Sequence, residues 1–294
     1  MYPFPFAYHA PANLEEALTL LARLPDGKVL AGGQSLMPLM NLGLARPGAL
    51  VDVNGLPGLD GVTEDHGHLK LGALVRHHVL ETSPLIRRRC PLLAEAASLI
   101  GNIRVRHRGT LGGSLAHADP AAELPLVAVA VGATLEIRRA EGVREVAAEQ
   151  FFRGYLLSDL EPGELVTGIR IPAFGPATGY GLAELVRRAG DFAIVAACAL
   201  VDGDGAGRCR QASLVLGGVG PHPLRMRRAE ALLGDRALTD PLLEEAAEAA
   251  SAEVAPESDI HASAPYRRAM ARVMARRALV MARMRAGKSR DRSA

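Results

Sequence analysis

Two glycine-containing stretches constrain the fold of this chain more than any other part of its sequence. Residues 29–36 leave an apolar run, pass through a glycine pair and reach small polar side chains, and residues 110–114 show a similar pattern. Glycine lacks the Cβ atom that would keep a backbone away from a phosphate group, and neighbouring N–H groups and hydroxyls can bind phosphate oxygens. The two stretches therefore indicate backbone loops of the kind that bind phosphate.

The flanking residues, rather than the glycines, carry this interpretation. Glycine pairs are expected by chance in a chain with 31 glycines among 294 residues. Gln34 and Ser35 add polar contacts to the first stretch. Thr110 and Ser114 add them to the second, and the later Glu123 is an acceptor suited to ribose or ribityl hydroxyls.

Composition and charge narrow the class of protein. A chain of 294 residues with 49% hydrophobic residues is long enough for two domains and too apolar to be disordered. Its net charge of +2 gives no general attraction to nucleic acid or to an anionic membrane, so neither is expected as a partner. No signal peptide is evident, and no apolar run approaches the ~18 residues of a membrane span. We therefore expect a cytoplasmic chain without membrane insertion.

Several familiar chemistries are excluded by spacing. The glycines of residues 203–207 lie in a predicted hairpin turn rather than between a strand and a long helix, which argues against a Rossmann fingerprint. Residues 287–289 resemble the end of a P-loop, but no strand precedes them. His77 and His78 lack partners at zinc spacing and are interpreted as surface or loop histidines. No nucleophile elbow surrounds Ser114. We therefore assign no catalytic acid, base or nucleophile and no metal ligand to this chain.

The cysteines also argue against a cluster within the chain. Cys90, Cys198 and Cys209 are odd in number and have no CxxC spacing. They fit reduced thiols better than a disulfide framework, and they are too few for an iron–sulfur cluster.

Apolar periodicity predicts an α+β chain. Helices are expected over residues 14–24, 91–100, 123–131, 227–233, 241–252 and 265–285, and strands over residues 28–31, 49–53, 68–71, 133–138, 164–171, 192–201 and 209–216. Residues 174–179 have the composition of a linker. We therefore expect an α+β domain over residues 1–175 and a smaller domain of an antiparallel sheet plus helices over residues 176–294.

Three motifs together resemble one known family. They are A-G-G-Q-S-L at 31–36, R-G-T-L-G-G-S-L-A-H-A-D-P-A-A-E-L-P at 108–125 and R-R-A-G-D-F-A at 187–193, with F-x-Y-H-A-P at 6–11 as further support. The chain resembles the FAD-binding medium subunit of molybdenum hydroxylases, the family of xanthine dehydrogenase and aerobic carbon monoxide dehydrogenase. The resemblance covers essentially the whole chain.

The resemblance implies a fold and a set of cofactor contacts. The first domain should be an FAD-binding domain of the vanillyl-alcohol-oxidase type, built from two α/β subdomains. The two glycine stretches should bind the FAD diphosphate from opposite sides, Ile100 should pack near the flavin, Glu123 should bind a hydroxyl of the cofactor and Val166 should contact the adenine region. The implied FAD-binding residues are Val29, Leu30, Ala31, Gly32, Gly33, Gln34, Ser35, Leu36, Ile100, Thr110, Leu111, Gly112, Gly113, Ser114, Glu123 and Val166.

The resemblance also implies partners. A molybdenum-containing large subunit with molybdopterin and an iron–sulfur small subunit with 2Fe-2S clusters should accompany this chain, in a dimer of heterotrimers. FAD would pass their electrons to a quinone, NAD or oxygen. A free-standing FAD-dependent oxidoreductase and an assembly scaffold that has lost FAD are the alternatives. Leu182 and Glu184 stand where members acting on carbon monoxide tend to have Tyr and Lys, so the substrate stays open.

Overall fold

The computed structural model describes residues 2–204 and 208–288, and the chain begins with a small parallel sheet. Its elements are β1 (Ala7–His9), α1 (Leu14–Arg23), β2 (Gly27–Leu30), α2 (Leu36–Asn41) and β3 (Ala49–Asp52). The strand order is β1-β3-β2, and both pairings are parallel. Because β2 and β3 run the same way, both end at one edge of the sheet, and the first glycine stretch leaves from that edge.

Helix α1 shows how the sequence specifies this layer. The Asn13 side chain accepts a hydrogen bond from the Glu16 N–H group at 2.9 Å and so caps the helix. The helix buries Ala17, Leu18 and Leu21, which pack in one cluster with residues of β3 and the segment that follows it. The predicted helix from residue 14 is confirmed.

A five-stranded antiparallel sheet with helices follows. Its elements are β4 (Val62–Asp65), β5 (His68–Gly72), α3 (His77–Thr82), α4 (Pro84–Arg89), α5 (Pro91–Leu99), α6 (Ile103–Arg108), α7 (Leu111–His117), α8 (Glu123–Ala130), β6 (Thr134–Arg139), β7 (Gly142–Ala147), α9 (Ala148–Phe151), β8 (Phe152–Gly154), β9 (Leu157–Ser158) and β10 (Leu165–Pro172). The strand order is β4-β5-β10-β6-β7, and β8 and β9 form a separate hairpin.

The last part of the chain is a second antiparallel sheet with three helices. Its elements are β11 (Thr178–Leu185), β12 (Val195–Gly203), β13 (Arg208–Gly217), β14 (Leu224–Arg225), α10 (Arg227–Leu233), β15 (Arg236–Ala237), α11 (Asp240–Glu253) and α12 (Ala264–Lys288). The sheet order is β11-β12-β13-β14, and β15 pairs with β13. Gly179 and Gly181 let α12 lie directly on β11, because a Cβ atom at either position would collide with a carbonyl oxygen of that helix.

The two faces of this last sheet have different partners. On one face, α12 covers β11 and β12 and a core forms around Leu214 and Leu279. On the other face, Leu182, Cys198 and Val215 join the same buried cluster as the residues of α5 and α8. The expected α+β architecture, with a terminal sheet plus helices, is confirmed.

The structure differs from the sequence-based expectation around the second glycine stretch. Thr110 caps α7, and Gly112 and Gly113 lie in the first turn of that helix rather than in a loop. The basic segment before it also forms a helix, α6, because the Asn102 side chain accepts from the N–H groups of Arg104 and Val105. Part of the glycine-rich turn at 203–207 and the end of the motif at 287–289 lie outside the described residues.

Candidate cofactor-binding site

The two glycine stretches meet, although they belong to different layers of the first domain. Gly32 lies against the backbone of Arg108, and a Cβ atom on it would sit 2.7 Å from the Cα atom of Gly109. A Cβ atom on Gly113 would sit 3.9 Å from the Cβ atom of Ala31. Only glycine at position 32 permits this approach of one backbone to the other.

The first stretch presents unused backbone donors. Gly33 has φ +69°, a backbone conformation that residues other than glycine rarely adopt. Gln34 donates its side-chain Nε2–H group to the Gly32 carbonyl at 3.0 Å, which holds the turn closed. Among the described residues, the N–H groups of Gly33, Gln34 and Ser35 donate to no carbonyl or side chain. Three successive free donors in a turn fit the oxygens of a bound diphosphate.

The backbone donors of the second stretch are used in hydrogen bonds with other parts of the protein and with Thr110. The N–H group of Leu111 donates to the Val75 carbonyl at 2.9 Å, and that of Gly112 donates to the Ala73 carbonyl at 2.8 Å. The Thr110 hydroxyl accepts from the Gly113 N–H group at 3.1 Å.

The polar residues of the second stretch differ in their exposure to solvent. Thr110 is only 2% exposed, whereas Ser114 and Gly113 are half-buried. This stretch therefore offers close backbone approach and the Ser114 hydroxyl rather than a row of N–H groups.

Two residues that the sequence did not single out connect the stretches. The Asn54 side chain donates to the Ala31 carbonyl at 2.7 Å, and the Arg76 guanidinium donates to the Asn54 Oδ1 atom at 2.7 Å. Arg76 also donates to the Arg108 carbonyl. We call this connection the Asn54–Arg76 bridge. No sequence motif marks either residue, because each acts through partners far away in the chain.

His77, next to Arg76, is buried, so its interpretation as a surface or loop histidine was wrong. It is 6% exposed, and burial lowers the pKa of its imidazole to about 4. The ring is therefore neutral at neutral pH. Its Nε2 atom lies 3.0 Å from the Thr110 carbonyl, which can only accept, so Nε2 carries the proton. The His77 ring thus fixes the position of the second stretch through the Thr110 carbonyl.

Glu123, which is buried, and Glu184, which is half-buried, lie close enough for the Glu184 charge to affect the pKa of Glu123. Glu123 is the first residue of α8 and is 7% exposed. Burial, with a smaller contribution from Glu184 and Asp119, raises the pKa of Glu123 to about 7. Burial also raises the pKa of Glu184, whose Oε2 atom accepts no hydrogen bond from the described residues. The Glu123 carboxyl therefore exchanges its proton near neutral pH, and a protonated carboxyl can donate as well as accept.

Ile100 and Val166 are the two remaining expected contact residues. Ile100 is half-buried beside Gly101, and a Cβ atom on Gly190 would collide with the Gly101 carbonyl, so the 187–193 segment lies against this position. Val166 is buried in β10, on which α7 packs. Leu111 of the second stretch and Val166 belong to one buried hydrophobic cluster, against which Ile100 packs, so the structure brings these expected residues together as well.

A cavity of about 850 Å³ lies between the 187–194 segment and the loop before α12. Pro120 and Ala121 line it, so it reaches the segment that leads to Glu123, but neither glycine stretch contributes to it. Within residues 2–204 and 208–288, no group of three or more His, Cys, Asp or Glu residues could hold a metal ion. None of the helices in the same residues is long and apolar enough to cross a membrane.

Two family models match the chain. The model described as "FAD binding domain in molybdopterin dehydrogenase" matches residues 4–174. The model described as "CO dehydrogenase flavoprotein C-terminal domain" matches residues 181–282.

Relatives of known name match over nearly the whole chain. The chain is 38% identical over 292 residues to the "6-hydroxypseudooxynicotine dehydrogenase complex subunit alpha" of Paenarthrobacter nicotinovorans, covering 99% of each chain. It is 40% identical to the "Carbon monoxide dehydrogenase medium chain" of Hydrogenophaga pseudoflava, covering 95% of this chain and 97% of that one.

Solved structures agree with these relatives. The structure of carbon monoxide dehydrogenase from Hydrogenophaga pseudoflava matches with a TM-score of 0.95 and 40% identity, over 97% of this chain and 99% of that chain. Quinoline 2-oxidoreductase from Pseudomonas putida 86 matches with a TM-score of 0.93 and 37% identity, over 97% of this chain and 99% of that chain.

Proposed function

The chain belongs to the family of FAD-binding medium subunits of molybdenum hydroxylases, and from this premise we propose that it passes electrons from iron–sulfur clusters of a partner subunit to an external acceptor. The acceptor would be a quinone, NAD or oxygen. The observation that supports this role is the meeting of Gly32 with the Arg108 backbone beside three free N–H groups.

We propose that the diphosphate of FAD binds where the two glycine stretches meet. The donors would be the N–H groups of Gly33, Gln34 and Ser35, with the Ser114 hydroxyl from the other side. Ile100 would pack near the flavin, Glu123 would bind a hydroxyl of the cofactor and Val166 would contact the adenine region. The two domains would be residues 1–175 and 176–294, a division that the family matches at 4–174 and 181–282 support.

The residues of this chain bind and orient the cofactor, and none of them has to act as a catalytic acid or base. FAD, when bound, can take up electrons singly and release them singly or in pairs. The protein would hold the diphosphate on the fixed backbone donors of the first stretch, and it places near the second stretch a buried carboxyl, Glu123, whose pKa burial raises to about 7. Such fixed dipoles need no rearrangement when charge moves through the cofactor.

We propose a molybdenum-containing large subunit and an iron–sulfur small subunit as partners, in a dimer of heterotrimers located in the cytoplasm. Support comes from relatives that are named as subunits or medium chains of dehydrogenases. The substrate of the whole assembly would be bound by the large subunit.

Co-purification tests this function. A tagged chain isolated from its native host should carry noncovalent flavin and two companion subunits containing molybdenum and iron, as measured by visible absorption and metal analysis. A chain that is purified alone, colourless and unable to take up added FAD would overturn the proposal. A chain that is alone but oxidises a substrate with bound FAD would instead indicate a free-standing oxidoreductase.

A further inference from the structure

We propose that the Asn54–Arg76 bridge sets the spacing of the two glycine stretches and thereby determines how tightly the chain binds FAD. Asn54 and Arg76 would be positioning residues, acting on the cofactor through the backbone that they hold. The inference rests on the proposed FAD site at these stretches. It adds a device that neither the glycine motifs nor the family match identifies.

Asn54 is held in place from both sides. Its backbone N–H group donates to the Asp52 Oδ1 atom at 2.9 Å and its side-chain Nδ2–H group donates to the same atom at 2.6 Å. Tyr8 donates its hydroxyl to the other oxygen of Asp52 at 2.6 Å. Asp52 thus orients the side-chain amide of Asn54. The Nδ2–H group of this amide donates to the Ala31 carbonyl, and its Oδ1 atom accepts from Arg76.

Arg76 connects this amide to the second stretch. Its guanidinium reaches the Asn54 Oδ1 atom with one terminal nitrogen and the Arg108 carbonyl with the other. The planar fork of arginine can serve two fixed acceptors at once, whereas the single ammonium of lysine is a point donor on a flexible stem. The residue also pairs with Thr110 in an isolated antiparallel bridge, so its backbone and its side chain hold the same segment.

The neighbouring His77 completes the grip on the second stretch. Its N–H group donates to the Gly109 carbonyl at 3.0 Å, and its ring binds the Thr110 carbonyl. Successive carbonyls of residues 108–110 are therefore each bound from the same side. The glycine backbones can approach each other only as closely as this clamp and the Asn54 amide allow.

The charges around the bridge support a positioning role for Arg76. Burial, followed by the nearby Arg108 charge, lowers the pKa of the Arg76 guanidinium, while Asp52 acts in the opposite direction. The group still remains charged at neutral pH because the ordinary pKa of arginine is so high. Its two terminal nitrogens donate to fixed protein acceptors, Asn54 Oδ1 and the Arg108 carbonyl, so the position of the guanidinium is set by the segments that it connects. Its contribution would be to set the spacing of the two glycine stretches.

The alternative is that Arg76 binds the diphosphate directly. In that case Asn54→Ala would weaken binding less than Arg76→Lys, because Arg76 would keep its charge and its hydrogen bond to the Arg108 carbonyl. Under the positioning proposal, either substitution breaks the same connection. Loss of the second residue then changes little once the first is gone, which is the signature of coupled residues.

A double-mutant cycle on FAD affinity tests the proposal. The chain would be stripped of flavin and titrated with FAD by flavin fluorescence, using the wild type, Asn54→Ala, Arg76→Lys and the double variant. We expect each single substitution to raise the Kd at least about tenfold, which corresponds to about 1.4 kcal/mol, and the double variant to match the weaker single variant. Arg104→Lys, at an exposed arginine of α6, is the matched control and should bind like the wild type.

Folding and flavin geometry are measured on the same samples. Thermal unfolding of the flavin-free variants shows whether the fold persists, and Asn54→Ser replaces Asn54→Ala if the latter does not fold. At saturating FAD, the visible circular dichroism of the bound flavin should change in both single variants, which a merely destabilised chain would not show. Unchanged affinity in folded Asn54 variants, or strictly additive effects, would overturn the bridge. Failure of the wild type to bind FAD would instead overturn the proposed function.

Discussion

At the scale of single residues, Glu123 makes the stability of this chain depend on pH. Its ordinary pKa of 4.5 is raised to about 7 in the folded chain, chiefly by burial. Between these values the folded chain binds more protons than the unfolded chain, so its stability falls as the pH rises. Below about pH 4.5 and above about pH 7 this contribution is constant.

Replacing Glu123 by Gln should remove that dependence. Denaturant unfolding of the flavin-free chain should show that the wild type loses stability from pH 5 to pH 8 and that Glu123→Gln does not. The loss in unfolding free energy should be on the order of 3 kcal/mol at most. Glu15→Gln, at an exposed position of α1, is the control. Equal pH dependence in Glu123→Gln and the wild type would contradict a buried Glu123 whose pKa is raised in the folded chain.

Gly32 of the first stretch contacts the backbone of Arg108 and Gly109, immediately before the second stretch. Alanine at this position has to push the Arg108 backbone away, because backbone atoms cannot turn aside as a flexible side chain can. We expect Gly32→Ala to destabilise the chain by about 1–3 kcal/mol and to weaken FAD binding at least about tenfold.

The control for Gly32→Ala is a glycine in open space. A Cβ atom on Gly55 would meet no atom within 4 Å. Gly55→Ala should therefore leave both the unfolding midpoint and the FAD titration close to the wild type. Wild-type FAD affinity in Gly32→Ala would show that the contact between the stretches is unimportant for the cofactor.

At the scale of elements, α7 depends on the Thr110 cap. Because the Thr110 hydroxyl is buried and accepts from the Gly113 N–H group, its role in the structure is to start the helix. Thr110→Ala should cost about 1 kcal/mol of unfolding free energy, and Thr110→Ser should recover most of it. Denaturant unfolding of both variants measures this. Full stability of Thr110→Ala would show that the cap contributes nothing.

The sequence predicted the longer elements and missed the short ones for a physical reason. Helix α1 has a cap and three buried apolar positions, which together form a pattern visible in the sequence. Helix α6 buries none of its residues, so no apolar period marks it. Its existence depends on the Asn102 cap and on contacts with α3.

The residues of the site also fall into those that the sequence could predict and those that it could not. The glycine stretches could be found because close backbone approach requires glycine locally, at Gly32 in particular. Arg76 could not be found, because its partners Asn54 and Arg108 lie 22 and 32 residues away and are defined only by the folded chain. His77 was missed because a histidine facing inward has no sequence signature of its own.

At the scale of the whole molecule, the two domains share one of the buried clusters, while each domain also has a cluster of its own. Leu182 of β11 is 6% exposed and belongs to the buried cluster that contains α5 and α8. Unfolding one domain would therefore expose apolar surface of the other. We expect a single cooperative unfolding transition for the flavin-free chain.

Leu182→Ala tests this coupling. The substitution should lower the stability of the whole chain by about 2–5 kcal/mol while the transition stays single, as measured by calorimetry together with far-ultraviolet circular dichroism. Leu42→Ala, at a leucine that is 68% exposed, should have little effect. Two separate transitions, only one of them shifted, would show that the domains unfold independently.

The Asn54–Arg76 bridge also bears on the order in which the site can form. Ala31 and Asn54 are 23 residues apart in the chain, Asn54 and Arg76 are 22 apart, and Arg76 and Arg108 are 32 apart. Each of these closures loses less chain entropy than one closure from Ala31 to Arg108. We therefore expect Arg76→Lys to slow refolding more than it accelerates unfolding in stopped-flow experiments, and the opposite partition would contradict this. The contacts of the Asn54–Arg76 bridge, which set the spacing of the two glycine stretches in the folded chain, would then also nucleate the folding of the first domain.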